Sequence, residues 1–258
     1  MASGIIAAAG KGTRMGGSEN KVFLKILGKT VLEHTVDAFF RCSEIEEIII
    51  VTGKEDIDRC RELFKKSPKP VKVVCGGETR QKSVYNGIVE AKGDIVAIHD
   101  GARALIEPEL IKKAIDECKI CSAAALGVNV KDTIKIISKD GFIINTPERE
   151  FTYQIQTPQV FSRDLILKAH KEGENFAVTD DCALVERLGI PVKAVAGSYE
   201  NIKLTTPEDM ILAEGIMKKR EIKKLLAIIN IGTGRKRRAV KRIVRNICKR
   251  KMYSAILR

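Results

Sequence analysis

The sequence predicts an α/β fold built on a mostly parallel, twisted sheet with helices on both faces. Two observations predict it: the apolar composition of the short runs and their alternation with helical patterns. Short apolar runs rich in Ile, Val and Ala alternate with helical patterns from the start of the chain to Val130. Such runs are typical of strands that crossover helices cover on both faces. After Val130 the alternation breaks and later resumes, which predicts an arm inserted into the α/β body.

The predicted elements follow one another in βα order. The first apolar run ends at Gly10, which indicates a buried strand. The second run is β-branched, and Pro108 suits the first turn of a helix. The predicted strands are Ser3–Ala9, Glu47–Thr52, Val71–Cys75, Asp94–His99, Ala123–Val128 and Pro191–Ala196. The predicted helices are Val31–Arg41, Lys54–Lys66, Thr79–Ala91, Glu107–Ile120, Arg163–Lys171, Asp180–Leu188 and Pro207–Lys219.

A β-hairpin is predicted where the alternation breaks. Runs over Lys131–Ile137 and Phe142–Asn145 flank an Asp140-Gly141 pair. Asp-Gly between β-branched runs is a strong hairpin signal. We therefore expect an arm over about residues 131–156, within a domain that covers residues 1–219.

The positive charge is concentrated at the carboxyl end. The 258-residue chain has a formal net charge of +13, but Lys218–Arg258 contains 16 Lys or Arg and one acid. The preceding residues carry 30 basic and 32 acidic side chains, so the body is close to neutral. Whole-chain charge therefore does not identify the partners of the body. Residues 220–258 are predicted to be a basic extension, either poorly ordered or an amphipathic helix that could contact an anionic surface or nucleic acid.

The composition argues against membrane and disulfide-rich classes. No apolar run approaches the ~20 residues of a membrane helix, so no membrane span is expected. The run Ile5–Ala9 is too short for a signal peptide. The seven cysteines are odd in number and scattered. A cytoplasmic location without a disulfide framework is therefore expected.

A glycine-rich loop follows the first predicted strand. It reads Ala-Ala-Gly-Lys-Gly-Thr-Arg-Met from Ala8. Its glycines let backbone N–H groups approach a phosphate, at the strand end where α/β sheets bind ligands. It is neither a Walker A loop nor a clean dinucleotide motif, because Met15 stands at the third glycine position. A plain turn is the alternative interpretation, but Arg14 and Lys21 add two cations beside the loop.

Two further strand ends carry candidate site residues. Gly76 and Gly77 follow the third strand, and Ser83 lies one turn into the next helix, where it could hydrogen-bond a base. Asp100 follows the fourth strand, and a carboxylate there suits Mg²⁺, which binds one or two carboxylates plus substrate phosphates. The alternative interpretations are a tight turn with Thr79 as a helix N-cap, and a solvated Asp in a turn.

The later polar residues allow two interpretations. Thr179 and Thr205 both precede acidic first turns, so helix capping is the first interpretation of each. Capping gives no reason for Lys203, which lies between them. The three histidines lack metal-ligand spacing among themselves, and no nucleophile elbow is present.

Taken in chain order, these motifs resemble one family. The motifs are the loop from Ala8, Lys21, Gly76-Gly77, His99-Asp100-x-Ala-Arg103, Val-Lys-Asp-Thr-Ile-Lys from Val130, Thr157-Pro-Gln, Thr179-Asp180 and Asn-Ile-Lys203-Leu-Thr205. Together they resemble the 2-C-methyl-D-erythritol 4-phosphate cytidylyltransferase family, over about residues 3–219. The resemblance implies a Rossmann-like nucleotidyltransferase fold and a homodimer in which a β-arm reaches the partner's active site. Asn20, Val22, Phe23, Gly101 and Ala104 depart from the family's usual pattern.

The resemblance implies transfer of CMP from CTP to the methylerythritol phosphate, with Mg²⁺ or another divalent cation as cofactor. Arg14 and Lys21 would steady the triphosphate, and Lys203 would position the attacking phosphate with Thr179 and Thr205. The implied catalytic residues are Arg14, Lys21, Arg149 and Lys203. The implied substrate-binding residues are Ala8, Ala9, Gly10, Gly12, Gly76, Gly77, Ser83, Asp100, Arg103, Thr133, Thr179 and Thr205, with Asp100 also on the metal side and with Thr133 and Arg149 acting from the partner's arm.

Two alternative functions are also considered. One is a cytidylyltransferase for ribitol 5-phosphate, whose family shares the glycine loop, the lysine and the His-Asp motif. The other belongs to a different class: a nucleotide-binding or nucleic-acid-binding protein that works through the basic extension. A substrate panel separates the first from the favoured function, and removal of the extension tests the second.

Overall fold

The computed structural model describes residues 1–10 and 20–231. The chain divides into one unit over Met1–Asp209 and a second over Met210–Arg258. In the second unit the described residues continue a helix that begins at Pro207 and ends at Ile231. The predicted basic extension therefore lies mostly outside the described residues. Within those residues, no helix is both long and apolar enough to cross a membrane.

A seven-stranded sheet forms the centre of the first unit. Its spatial order is β11-β7-β10-β6-β1-β4-β5, and β10 is antiparallel to both of its neighbours while every other pair is parallel. Two short hairpins, β2–β3 and β8–β9, lie outside it. The strands are Ala2–Ala7 (β1), Lys25–Ile26 (β2), Lys29–Thr30 (β3), Ile45–Thr52 (β4), Val71–Cys75 (β5), Ile95–Asp100 (β6), Ala123–Asn129 (β7), Ile136–Ile137 (β8), Ile143–Asn145 (β9), Tyr153–Ser162 (β10) and Lys193–Ala196 (β11).

Helices cover both faces of the sheet, as the sequence predicts. They are Val31–Arg41 (α1), Ile57–Leu63 (α2), Arg80–Glu90 (α3), Pro108–Cys121 (α4), Arg163–Glu172 (α5) and Cys182–Arg187 (α6). A further helix, Pro207–Ile231 (α7), belongs mostly to the second unit. Because successive side chains of a strand point to opposite faces, β4 supplies both cores. Ile48 and Ile50 pack with the core that contains residues of α1 and α4, and Ile49 and Val51 pack with the core that contains residues of α3 and α5.

Three predicted helices differ by more than one residue from their bounds in the structure. The predicted helix Lys54–Lys66 begins with a 3-10 turn over Lys54–Asp56, and only Ile57–Leu63 is α-helical. The predicted helix Asp180–Leu188 begins at Cys182. The last helix extends past Lys219. Helix ends are set by caps and packing rather than by apolar spacing, so the spacing locates them less well than the helix body.

Strand β10 is absent from the sequence-based prediction. It carries Pro158, which cannot donate a ladder hydrogen bond and is normally confined to strand edges or bulges. The register with β7 shifts between Ile155 and Gln159, so Pro158 lies at an irregularity of the ladder. The sheet therefore tolerates a proline in one of its interior strands.

The predicted arm is a hairpin that projects from the sheet. Gly141 has φ +87° at its turn, a conformation that favours glycine, and its N–H donates to the carbonyl of Ser138 at 3.0 Å. A 3-10 turn over Arg149–Phe151 precedes β10. None of residues 131–150 is buried. Among the described residues, this part of the arm therefore adds nothing to either core.

Candidate active site

A cleft of about 890 Å³ opens where β1, β5 and β6 end. The ends of neighbouring parallel strands converge at one edge of a sheet, so residues far apart in the chain meet there. Most of the predicted site residues within the described ranges line this cleft: Ala8, Ala9, Gly10, Lys21, Gly76, Gly77, Ser83, Asp100 and Lys203. The predicted residues Gly12 and Arg14 lie outside the described residues.

The double-glycine loop closes one wall of the cleft. A Cβ atom on Gly76 would lie 2.6 Å from Cβ of Ala9 and 3.0 Å from Oγ of Ser83, so only glycine fits there. The Ser83 hydroxyl accepts the N–H of Gly77 at 3.0 Å and donates to the carbonyl of Thr79 at 2.8 Å. Ser83 therefore fixes the loop from within the helix. Thr79 caps α3 by accepting the N–H of Lys82 at 3.1 Å, as predicted.

Lys21 reaches the cleft from a short 3-10 turn over Lys21–Phe23. Asn20 holds the start of this turn: its side-chain oxygen accepts the N–H of Val22 at 3.3 Å. Its Nδ2 atom donates to the carbonyl of Ala8 at 2.9 Å, which ties the turn to the residue that follows β1. The asparagine that departs from the usual family pattern thus has a structural reason in this chain.

Asp100 is the centre of the charge distribution in the cleft. Lys203 Nζ lies 3.0 Å and Arg103 Nε 3.4 Å from its Oδ2 atom, and Arg80 Nε lies 3.7 Å from its Oδ1 atom. Burial opposes the charged form of Asp100, but Lys203, Arg80 and Arg103 outweigh it and hold the pKa of this carboxyl well below its usual range. The carboxylate is therefore ionised and surrounded by three cations.

A neutral histidine and a threonine support the backbone at Asp100. The N–H of Asp100 donates to Oγ1 of Thr157 at 3.1 Å, and this oxygen lies 2.9 Å from Nδ1 of His99. Nε2 of His99 lies 3.3 Å from the carbonyl of Arg103, which can only accept, so Nε2 carries the proton. Burial lowers the pKa of His99 to about 4, in agreement with a neutral ring. Strand β10, which supplies Thr157, is thus part of the site.

The segment that carries Lys203 is bound to the loop after β6. The N–H of Leu204 donates to the carbonyl of Ala102 at 2.8 Å, and Nη1 of Arg103 donates to the carbonyl of Asn201 at 2.8 Å. Asn201 is fully buried and donates through Nδ2 to the carbonyl of Thr157 at 2.9 Å. These contacts bring Lys203 to Asp100 although about one hundred residues separate them in the chain.

Arg80 is a cleft residue that the sequence analysis does not single out. It begins α3, lines the cleft, and contacts both Asp100 and Asp181. The sequence feature that could have identified Arg80 as a site residue is its position directly after the double-glycine loop and the Thr79 cap. An arginine in a first helical turn is usually solvated, so this position alone did not indicate a site.

Five predicted residues within the described ranges do not line the cleft, and one of them, Arg103, still contacts Asp100 from behind it. The backbone N–H and the hydroxyl of Thr205 both donate to Asp209, at 2.8 Å each. These contacts tie Thr205 to the first turn of α7, in keeping with a structural role at the start of that helix. The prediction that Thr179 caps a helix is wrong, because Asp180 accepts the N–H of Ala183 at 3.1 Å instead. Thr133 and Arg149 lie together on the arm, where Nη2 of Arg149 donates to Oγ1 of Thr133 at 2.8 Å.

The donor groups for a metal are few. Within residues 1–10 and 20–231, no cluster of three or more His, Cys, Asp or Glu side chains is placed to hold a metal ion. Glu78 and Asp100 are the carboxylates that line the cleft, and Asp100 has three cations around it. This arrangement fits Mg²⁺ only in the mode in which phosphates of a substrate supply most ligands.

Comparisons with known proteins identify the family of this chain. The family model for 2-C-methyl-D-erythritol 4-phosphate cytidylyltransferase matches residues 3–219. The chain belongs to this family. A protein of that name from Caldanaerobacter subterraneus subsp. tengcongensis is 51% identical over 224 residues, which cover 84% of this chain and 99% of the relative. One from Desulforamulus reducens is 48% identical over 223 residues, which cover 84% of this chain and 95% of the relative.

A solved structure agrees with the fold of this cytidylyltransferase family. The 4-diphosphocytidyl-2C-methyl-D-erythritol synthase from Anaerococcus prevotii is 35% identical, with a TM-score of 0.78 over 84% of this chain and 96% of the other. The predicted α/β nucleotidyltransferase fold and the predicted enzyme class are therefore confirmed. The ribitol phosphate alternative and the nucleic-acid-binding alternative are not favoured by these findings.

Proposed function

We propose that this cleft transfers a cytidylyl group from CTP to 2-C-methyl-D-erythritol 4-phosphate. The products are pyrophosphate and 4-diphosphocytidyl-2-C-methyl-D-erythritol, an intermediate of non-mevalonate isoprenoid synthesis. One observation carries the proposal: the start of the first glycine loop at Gly10, the double-glycine loop at Gly76, Lys21, Lys203 and Asp100 meet in a single cleft. The residues come from four separate parts of the chain, in a protein that belongs to a cytidylyltransferase family.

The chemistry needs position and charge rather than a protein nucleophile. A phosphate oxygen of the acceptor attacks the α-phosphorus of CTP, and the bond to the bridging oxygen of pyrophosphate breaks. The attacking phosphate is already an anion at neutral pH, so no general base is needed. Negative charge grows on the α-phosphate and the leaving group, and fixed cations stabilise it. The neutral, buried His99 fits a structural role in this scheme.

The residues divide the work by position. The backbone at Gly10 and at Gly76–Gly77 leaves room for the nucleotide to approach closely. Lys21, with Arg14 nearby in sequence, would meet the triphosphate. Lys203 and Arg103, held by Asp100, would meet the phosphate of the acceptor. Asp100 thereby keeps two flexible cations in fixed positions before the substrates arrive, which removes a reorganisation cost from the reaction.

Mg²⁺ would enter this site with the triphosphate. Asp100 would be its protein carboxylate, and phosphate oxygens would supply most remaining ligands. When bound, the ion neutralises charge on the phosphates during transfer. Lys21, Lys203 and Arg80 would remain the protein's own contribution to charge stabilisation.

A homodimer with exchanged arms completes the proposal. Phe142, Ile143 and Ile144 on the arm are 74%, 62% and 65% exposed, an apolar surface that a monomer rarely leaves in contact with water. Arg149 and Thr133 lie on the same arm. We infer that the arm packs on a second copy and brings these two residues to its sugar phosphate. Phe142→Ser should weaken dimerisation in ultracentrifugation, whereas Ile120→Ser, at an apolar position that is 82% exposed on α4, should not.

A substrate panel tests the proposed reaction. Pyrophosphate release is measured with CTP and either 2-C-methyl-D-erythritol 4-phosphate or ribitol 5-phosphate, and again with UTP, ATP or GTP. We expect rapid release only with CTP and the methylerythritol substrate. Faster release with ribitol 5-phosphate would transfer the assignment to the other polyol. We place the reaction in the cytoplasm, in keeping with the free thiols of the six cysteines within the described residues.

A further inference from the structure

Two buried polar side chains, His170 and Asp181, lie behind the cleft and have no part in the chemistry described so far. Nε2 of His170 on α5 lies 3.2 Å from Oδ1 of Asp181. Oδ2 of Asp181 lies 2.8 Å from Nη2 of Arg80, whose Nε atom lies 3.7 Å from Oδ1 of Asp100. The side chains of His170 and Asp181 are each 1% exposed. A continuous row of polar groups thus leads from the core to the cleft.

Gln159 fixes the backbone around Asp181. Its Oε1 atom accepts the N–H of Asp181 at 3.0 Å and that of Cys182 at 3.3 Å, and its Nε2 atom donates to Oδ2 of Asp180 at 2.8 Å. Gln159 is 2% exposed and belongs to β10, in the middle of the sheet. The carboxylate of Asp181 is therefore mounted on a rigid part of the fold.

Stability alone gives a weak reason for a carboxylate at this depth. A buried ion pair is often no more stabilising than well-packed apolar side chains of similar volume. Burial also opposes the charged form of Asp181, although His170 and Arg80 keep the pKa of its carboxyl below the usual range. The charge is thus maintained at a cost in desolvation, which indicates a role beyond packing.

The surroundings of Arg80 suggest what that role is. Arg80 lines the substrate cleft, but it also lines a second cavity of about 510 Å³ with Tyr85, His170 and Phe176. An arginine side chain is long and has many rotamers, so the guanidinium of Arg80 can point either into the substrate cleft or into the second cavity. The ion pair with Asp181 favours the position in which the guanidinium also faces Asp100. The guanidinium presents different nitrogens to the two carboxylates, Nη2 to Asp181 and Nε to Asp100.

We propose that Asp181, with His170 behind it, is a positioning residue for nucleotidyl transfer that holds Arg80 against Asp100 at the cleft. The proposal rests on the proposed function for its kinetic readout. Arg80 is then fixed before substrates bind, and loss of its support lowers the rate of transfer more than the affinity for CTP. Such losses of outer support typically cost about 10- to 100-fold in activity.

A pair of substitutions at His170 separates positioning from packing. His170→Gln retains an N–H donor toward Asp181, whereas His170→Leu offers a similar volume without one. We expect kcat to fall about tenfold in His170→Leu, with KM for CTP within about twofold of wild type, and His170→Gln to recover most of kcat. Equal kcat values in the two variants, or a loss that follows the melting temperature alone, would overturn the proposal.

A double-substitution cycle tests whether Asp181 acts through Arg80. Asp181→Asn keeps the shape and removes the charge. It should lower kcat about 10- to 100-fold in the wild-type background but less than about twofold in an Arg80→Ala background. The same factor in both backgrounds would mean that Asp181 acts by another route.

Crystal structures of His170→Leu and Asp181→Asn give a readout that does not depend on turnover. We expect Arg80 to move away from Asp100 in both variants and to remain in His170→Gln. A separation that stays at 3.7 Å in all three overturns the positioning role. If the wild-type protein fails to use the methylerythritol substrate, the proposed function is contradicted. The crystallographic position of Arg80 in the variants then still tests the positioning role by itself.

Discussion

The cleft and the arm differ in how their side chains are partnered. At the cleft, Asp100 is nearly buried and has three cationic partners, and the loops around it are held by hydrogen bonds to Ser83 and Asn201. On the arm, apolar side chains such as Phe142 face outward, and the β8–β9 hairpin has no core beneath it. The charge of Asp100 is compensated within the cleft, whereas none of the described residues buries the apolar side chains of the arm.

This contrast indicates what a second copy would add in the proposed dimer. A site whose charges are already compensated can be assembled in a monomer, so the fold alone organises Lys21, Lys203 and Asp100. A hairpin with an exposed apolar face needs another surface to bury it. The proposed division of labour follows: one copy holds the nucleotide, and the arm of the other copy closes the acceptor side.

The largest expected effect concerns the cleft side of the comparison. Lys21→Ala removes a cation that lines the cleft, where negative charge grows during transfer. We expect kcat to fall by about 10²–10³ with little change in the melting temperature, because a single charge-stabilising contact is typically worth ~3–4 kcal/mol. Steady-state pyrophosphate release measures the rate, and circular dichroism reports folding. Lys25→Ala, an exposed lysine on β2, is the control and should keep wild-type turnover. Equal turnover in the two variants would show that Lys21 does not stabilise charge in the transfer reaction.

The next prediction joins the two regions. Arg149→Ala and Lys21→Ala should each be nearly inactive as pure dimers. In a mixed dimer, the intact cleft of one chain faces the intact arm of the other, so one site of two is complete. Random exchange of equal amounts should therefore restore about a quarter of wild-type activity. Mixed dimers confirmed by native mass spectrometry that remain inactive would show that Arg149 does not act across the interface.

A smaller effect is expected at the support behind Asp100. Burial lowers the pKa of His99 to about 4, from 6.5 in the unfolded chain. As the pH falls below 6.5, the unfolded state binds this proton first, so the folded state loses stability until about pH 4. The loss amounts to about 3 kcal/mol. Urea unfolding from pH 8 to pH 4 measures it, and His99→Gln should show a correspondingly flatter dependence. Parallel curves for the two proteins would mean that His99 does not contribute to the acid sensitivity.

The smallest effect is expected for the basic extension. Most of the predicted site residues lie within the described part of the first unit, and the family model ends at residue 219. A chain that stops at Lys219 should therefore fold, dimerise and turn over CTP at the wild-type rate. It should also lose any binding to anionic vesicles or DNA that the full chain shows at low salt. An insoluble or inactive truncated chain would show that the extension belongs to the working enzyme.

The sequence predicts the parallel part of the sheet well, because a strand such as β4 is apolar along its whole buried length. It does not predict β10, since Pro158 argues locally against a strand and only the neighbouring strands make one favourable. The glycine loops, Lys21 and Asp100 were predictable because they follow strand ends. Arg80 was not, because its role depends on Asp181, a carboxylate about one hundred residues away whose depth in the fold has no local signal.

The register at the base of the arm has a consequence for engineering. Asn129 and Tyr153 are paired neighbours in the sheet, so the arm leaves and re-enters at adjacent positions. The ends of the inserted segment are thus as close as those of an ordinary hairpin, about 5 Å apart. A tight Asn-Gly turn could therefore replace the arm and leave β7 and β10 intact. We expect the resulting chain to be soluble and to keep the cleft without the arm. In the proposed dimer, an exchange of arms between relatives would change which subunits pair.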